Sequence, residues 1–277
     1  MSLMSKLLTS TLIASVALSA SQVPNKKELI KYVRKNIAKN PKVTVDGVTI
    51  IEEKTHKDLP GWTILLTTMD FTFDKKEIHA PEIMFIKDGL VTGNLINLKT
   101  GKDYRNEIKP SIPNSMYNKE HLLYGTENSK HKIVVFSDPQ CPFCQELIPE
   151  IIDVVKDNPS EVALYYYHLP LLRLHPVSGT LTKIMHIAQT QGKLDIIDKI
   201  YKLKINPNET NVEKIIEEVK KQTGYIVTKE QVEDKKITKI LKEDELAAAK
   251  MMVSGTPMVF IDGEWDKMRT GHKKFKK

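Results

Sequence analysis

The chain has 277 residues, of which 40% are apolar, and a formal charge of +7 that comes mostly from lysine. That length suits one large domain or two smaller ones, and that apolar fraction argues against global disorder. The densest basic run, residues 26–42, carries Leu29, Ile30, Val33 and Ile37 at helical spacing and no nucleic-acid motif, so it reads as an amphipathic helix with a solvated lysine face rather than a nucleic-acid surface.

Residues 1–20 place Lys6 ahead of an apolar stretch and end on small residues, Ser19 and Ala20. This is the layout of a cleavable signal peptide, too short for a comfortable membrane span. Export sends a chain to a compartment where disulfides persist. After the helix, the pattern shifts to period two. Asp46-Gly47 separates Val43 and Val45 from Val48 and Ile50, Trp62 to Phe73 alternates, and Asp88-Gly89 divides two further apolar runs, 82–86 and 90–98. Asp-Gly between apolar runs predicts hairpins. Residues 21–105 are therefore expected to form a helix packed on a small antiparallel sheet. Pro110 and Pro113 among polar residues mark 106–125 as a linker, with a short helical piece around 119–124.

The second unit, 126–277, opens with a buried-type strand at 132–136, a helix from Pro142 to about 156 and a strand at 162–167. Helical patterns follow at 175–190, 194–203, 212–222 and 229–252, and a last hairpin surrounds Asp262-Gly263. Strands followed by an all-helical insertion (about 175–252) and a closing hairpin predict an α+β fold with a mixed sheet.

Only two cysteines occur, Cys141 and Cys144, in "FSDPQCPFCQ". Structural zinc commonly takes paired ligand sets, and the histidines are scattered; His168 and His175 are poorly spaced for a shared metal. A disulfide closing so short a loop constrains little of the chain. A redox pair fits best, because the motif sits where a strand hands over to a helix in an exported chain. Cys141 falls near the N-cap, and Pro142 suits the first helical turn, which has no intrahelical donor to lose. The free N–H groups and dipole of that helix end favour a thiolate at Cys141, which lowers its pKa and makes the disulfide a better oxidant. Cys144, one turn further in, is expected to be more buried and to resolve a mixed disulfide formed by Cys141.

The other notable stretch is "VSGTPMVFIDG", in which Thr256-Pro257 opens an apolar strand. A proline there removes a donor from the sheet edge and leaves room for an extended chain, and X-Pro bonds are where cis peptides concentrate. "VVFSDPQCPFC" followed by "VSGTPMVFIDG" resembles the thioredoxin-fold thiol:disulfide interchange proteins of the bacterial periplasm, most closely the DsbC/DsbG group. That resemblance implies a thioredoxin-like catalytic domain with a helical insertion, preceded by a cystatin-like dimerisation domain over 21–105. It implies Cys141 as the attacking and Cys144 as the resolving cysteine, with Pro142 and Phe143 completing the motif and Thr256 and Pro257 docking substrate backbone. It further implies a homodimer without metal or other cofactor that rearranges wrong disulfides in exported proteins. A membrane reductase of the DsbD type would keep it reduced. Two positions depart from strongly oxidising relatives: Phe143 replaces a histidine, and Val135 replaces a buried acid. The segment "YYHLPLLRLHP", in contrast, resembles the DsbA side of the family. A dimeric oxidase recharged by a DsbB-type partner, or a holdase chaperone with secondary redox activity, are the alternative readings.

Overall fold

The computed structural model describes residues 23–276, so the expected signal peptide at 1–20 lies outside the described residues. The first helix, α1 (Lys26–Asn36), starts at Asn25, whose side chain accepts from Glu28 N–H while the Glu28 carboxylate accepts from Asn25 N–H. Such a capping box stabilises a helix start by about 1 kcal/mol. Leu29 and Val33 supply its buried stripe. It ends before the expected residue 42. Pro41 cannot donate to the Ile37 carbonyl, and its ring would collide with it, so the helix cannot continue that far.

Strands β1 (Val43–Lys54), β2 (Thr63–Phe73), β3 (Lys76–Lys87) and β4 (Leu90–Thr92) form an antiparallel meander in the order β1-β2-β3-β4. The period-two pattern sorts its side chains onto two faces. Leu65, Met69, Met84 and Ile86 pack under α1 with Leu29 and Val33. Ile64, Leu66, Ile83 and Phe85 face the other way, toward Tyr104 and Ile108. Two of the strand expectations change. Asp46-Gly47 is not a hairpin but a bulge inside β1, where pairing jumps from Val45–Phe71 to Gly47–Asp70. A side chain at Gly47 would sit 3.3 Å from the Asp70 carboxylate, so the glycine leaves room in the bulge for that side chain instead of making a turn. The tight turn falls at Asp74-Lys75, with φ of 48° and 63°. Asp88-Gly89 does turn the chain, at φ of 50° and 75°, but β4 stops at Thr92 rather than reaching residue 98.

Residues 104–125 are packed against both halves. Ile112 and Met116 enter the core of the second sheet, and Ile112 N–H donates to Gly263 O at 2.8 Å. The helical piece expected at 119–124 is instead strand β5 (Leu122–Tyr124); pairing with a neighbouring strand overrides its local helical preference.

The second sheet adds β6 (His131–Ser137), β7 (Val162–His168), β8 (Met258–Ile261) and β9 (Glu264–Trp265), in the order β5-β7-β6-β8-β9. Strands β6 and β7 are parallel and joined by α2 (Pro142–Asp157); the other pairings are antiparallel. Helices α3 (Ser178–Thr190), α4 (Asp195–Tyr201), α5 (Val212–Thr223) and α6 (Lys229–Val232) join α2 over one face, with Ile133, Val135, Leu164 and Tyr166 beneath them. The expected single helix at 229–252 is split. Asp234 accepts from Lys236 N–H at 2.8 Å and starts a new helix, α7 (Lys235–Lys250). Its Ala248 packs on the opposite face, against Phe136, Tyr165 and Phe260. The helical insertion therefore covers both sides of the sheet.

Candidate active site

Strand β6 delivers the chain to the site at its C-terminal end. Asp138-Pro139 ends the strand, and Cys141 becomes the N-cap of α2 in extended conformation, φ −68° and ψ 122°, with Pro142 in the first turn. Cysteine offers no capping oxygen, so the first N–H groups of α2 stay available to an anion. The Cys141 sulfur occupies that place. Its pKa is lowered from 9.0 to about 5, first by the hydrogen bond from the Cys144 thiol, then by the N–H groups of Cys144 and Phe143 and by the Thr256 hydroxyl, all outweighing desolvation. Each unit of such a shift favours the thiolate by about 1.4 kcal/mol. Cys144 is fully buried, and burial together with the neighbouring thiolate pushes its pKa far up. The two cysteines therefore divide the work: one is a ready anion, the other a held proton. Both are free thiols.

Thr256 and Pro257 meet Cys141 across 115 residues of sequence. The Thr256-Pro257 bond is cis. The Cys141 Sγ–H, when protonated, donates to Thr256 O at 3.4 Å. The Thr256 hydroxyl is buried with no geometric partner among the described residues and faces the sulfur's charge. The expectation of a sheet edge here needs correction, because β8 is an inner strand between β6 and β9. Since β9 pairs only with Phe260 and Ile261, the start of β8 still lacks a strand neighbour on that side among the described residues. Phe143 is 64% exposed and turned outward, with the Arg269 guanidinium 5.9 Å from its ring centre. Thus a positive charge does stand beside the motif, although Phe143 itself carries none.

Asp138 was legible only as a strand breaker, yet it organises the loop. It is fully buried. Oδ1 accepts from Gln140 N–H at 2.7 Å and Ser178 Oγ–H at 2.6 Å, and Oδ2 accepts from Leu171 N–H at 2.7 Å with His175 Nδ1 at 3.1 Å. The carboxylate thereby fastens the cysteine loop to the segment leading into α3. The acid stands three residues before Cys141, whereas the position six before it is Val135. His175, read in the sequence only as a poorly spaced metal-ligand candidate, is one of its partners. Among the described residues, no three His, Cys, Asp or Glu converge as a metal site.

Comparison with curated proteins finds no match. Among solved structures, a thioredoxin-like oxidoreductase from Silicibacter pomeroyi DSS-3 is 23% identical, covering 56% of this chain and 88% of that one, with a TM-score of 0.45. BdbD from Bacillus subtilis, oxidised, is 14% identical over 60% of this chain and 92% of that one, at 0.48. A periplasmic thioredoxin-like protein from Salmonella enterica serovar Typhimurium is 21% identical over 59% and 97%, at 0.46. The thioredoxin family profile matches residues 117–277, more than half of the chain and all of the site described above. The chain therefore belongs to the thioredoxin family.

Proposed function

We propose that the protein is a periplasmic thiol:disulfide oxidoreductase acting on exported cysteine-containing proteins, with Cys141 as nucleophile and Cys144 as resolving thiol. The observation that carries this reading is the Cys141 sulfur at the α2 N-terminus, its pKa lowered to about 5, against the cis Thr256-Pro257 segment and above buried Cys144. The Cys141 thiolate attacks one sulfur of a substrate disulfide. That bond breaks, a Cys141–substrate disulfide forms, and the departing substrate thiolate takes a proton. A second substrate thiol then releases Cys141 and leaves a rearranged substrate. Alternatively, Cys144 loses its proton, attacks Cys141 Sγ and releases a reduced substrate. An extended substrate beside the start of β8 would bring its sulfur to Cys141.

The isomerase and reductase direction rests on the resemblance to the DsbC/DsbG group and on the separate helix-plus-sheet unit ahead of the family match. In this reading, residues 21–105 form a cystatin-like dimerisation domain, and a DsbD-type membrane reductase keeps the pair reduced. The low Cys141 pKa favours a second direction, because a stabilised thiolate makes the disulfide oxidising. The protein would then introduce disulfides and be recharged by a DsbB-type partner. Rapid alkylation of free thiols in intact cells separates the two: a mostly reduced pool is the isomerase result, and a mostly oxidised pool overturns it in favour of the oxidase.

A further inference from the structure

Three buried hydroxyl groups that the exchange reaction above does not use lie beside the resolving cysteine. Ser137 ends β6, Tyr166 lies in β7 and Tyr201 in α4, and none is more than 2% exposed. Ser137 Oγ is 2.6 Å from Tyr201 Oη, and Tyr201 Oη also hydrogen-bonds Tyr166 Oη. The Ser137 hydroxyl and the Asp138 N–H each interact with the Cys144 sulfur in the sense that favours its thiolate. Burial holds both phenols well above their ordinary pKa, so they stay protonated. Three hydroxyls carry three protons. Two are spent on the two oxygen–oxygen bonds. The third is left for an acceptor at one end of the chain, and at the Ser137 end that acceptor is the Cys144 sulfur.

We infer that the Tyr166–Tyr201–Ser137 hydroxyl chain, together with the Asp138 N–H, is a built pocket for the Cys144 thiolate during resolution of the mixed disulfide. While Cys144 is a thiol, its S–H donates to the Cys141 thiolate or into the chain. Once Cys141 is bound to substrate, that acceptor is gone and Cys144 must ionise in a site that otherwise penalises charge. The hydroxyls then all point one way, Tyr166 to Tyr201 to Ser137 to sulfur, and each bond polarises the next. In the step itself, Cys144 gives its proton to water and its sulfur bonds Cys141 Sγ. The Cys141–substrate bond breaks, and the leaving substrate sulfur departs with the electron pair and takes up a proton. Ser137 touches a reacting atom; Tyr201 and Tyr166 act through it as positioning residues. Because Tyr201 belongs to the helical insertion, the insertion sets how long the mixed disulfide lives. That lifetime decides whether a second substrate thiol or Cys144 ends it.

The inference rests on the proposed exchange reaction, and one experiment keeps the two apart. The reduced full chain is mixed with 5,5′-dithiobis(2-nitrobenzoate) in a stopped-flow instrument. Cys141 attack releases one coloured thiolate, and Cys144 attack on the mixed disulfide releases a second. A parent protein that gives no first release overturns the exchange reading itself. Given both releases in the parent, Ser137→Ala and Tyr201→Phe should leave the first within twofold and slow the second by roughly tenfold or more, the scale of one hydrogen bond to a charge. The pH midpoint of the second release should move upward in both. Tyr166→Phe, one hydroxyl further away, should act in the same direction and more weakly; it decides the matter if Tyr201→Phe does not fold. Second-phase rates and midpoints equal to the parent's, or first and second phases slowed alike, would overturn the inference.

Discussion

At the scale of single residues, the site is a contest over two protons. Cys141 is depressed to about 5 from an ordinary 9.0, so the folded reduced protein gains stability that is complete above about 9 and is lost as the pH falls through 5. The iodoacetamide reaction of reduced protein should therefore titrate with a midpoint near 5, and the reduced form should lose stability relative to the oxidised form as the pH falls from about 9 to about 5. Thr256→Val removes the hydroxyl that faces the sulfur and should move that midpoint upward by under about one unit. A midpoint near 9 in the parent would contradict this electrostatic account. Asp138→Ala should cost about 3 kcal/mol in urea unfolding, because the buried Gln140 N–H, the half-buried Leu171 N–H and the Ser178 hydroxyl lose their acceptor together. The two cysteines and the cis-proline pair were legible because each carries an unusual residue at a fixed place. Asp138, Ser137 and Tyr201 were not, because an aspartate before proline and tyrosines in an apolar run have commoner explanations as turn and core residues. Only the tertiary fold joins them.

At the scale of elements, the three Asp-Gly dipeptides show what local sequence can and cannot specify. Asp88-Gly89 and Asp262-Gly263 turn their hairpins, all four residues at positive φ. Asp46-Gly47 looks the same in sequence and sits inside one strand, because the long β2 behind it keeps pairing past the dipeptide. Loss of a pairing partner decides between turn and bulge, and that partner is many residues away. The glycines also differ in consequence. At Gly125, φ is +84° and a Cβ would stand 2.4 Å from Val162 O, whereas at Gly89, φ is +75° with open space around it. Gly125→Ala should therefore destabilise by more than about 2 kcal/mol, and Gly89→Ala by about 1 kcal/mol for backbone strain alone. Thermal unfolding of the two variants checks the ordering; equal losses would show that the Gly125 contact relaxes freely.

At the scale of the whole molecule, the segment expected to be a plain linker is where the two sheets meet. Ser111 N–H and Oγ–H reach Glu52 of β1 at 2.7 and 2.9 Å, and Oγ is also 2.8 Å from Glu264 of β9. Lys54 lies 3.5 Å from both carboxylates. Lys109 Nζ donates to Met252 O at 2.7 Å, just ahead of the cis-proline stretch. Pro110 and Pro113 fall in irregular backbone between Glu107 and Asn114, but irregular backbone can still be buried, and proline content says nothing about that. The proposed dimer belongs to this scale as well. Light scattering should give twice the chain mass for a chain that starts at residue 21 and the single mass for one that also lacks residues 21–105; a dimer that survives that deletion would place the interface elsewhere.

The central claim is that Cys141 forms the bond to substrate and Cys144 breaks it. Its most direct measurement is the recovery of disulfide-linked adducts from cells that express Cys144→Ser. The account predicts adducts with exported cysteine-containing proteins that disappear on reduction, attached at Cys141, and none with Cys141→Ser. The same adducts with Cys141→Ser, or none with Cys144→Ser, would contradict it.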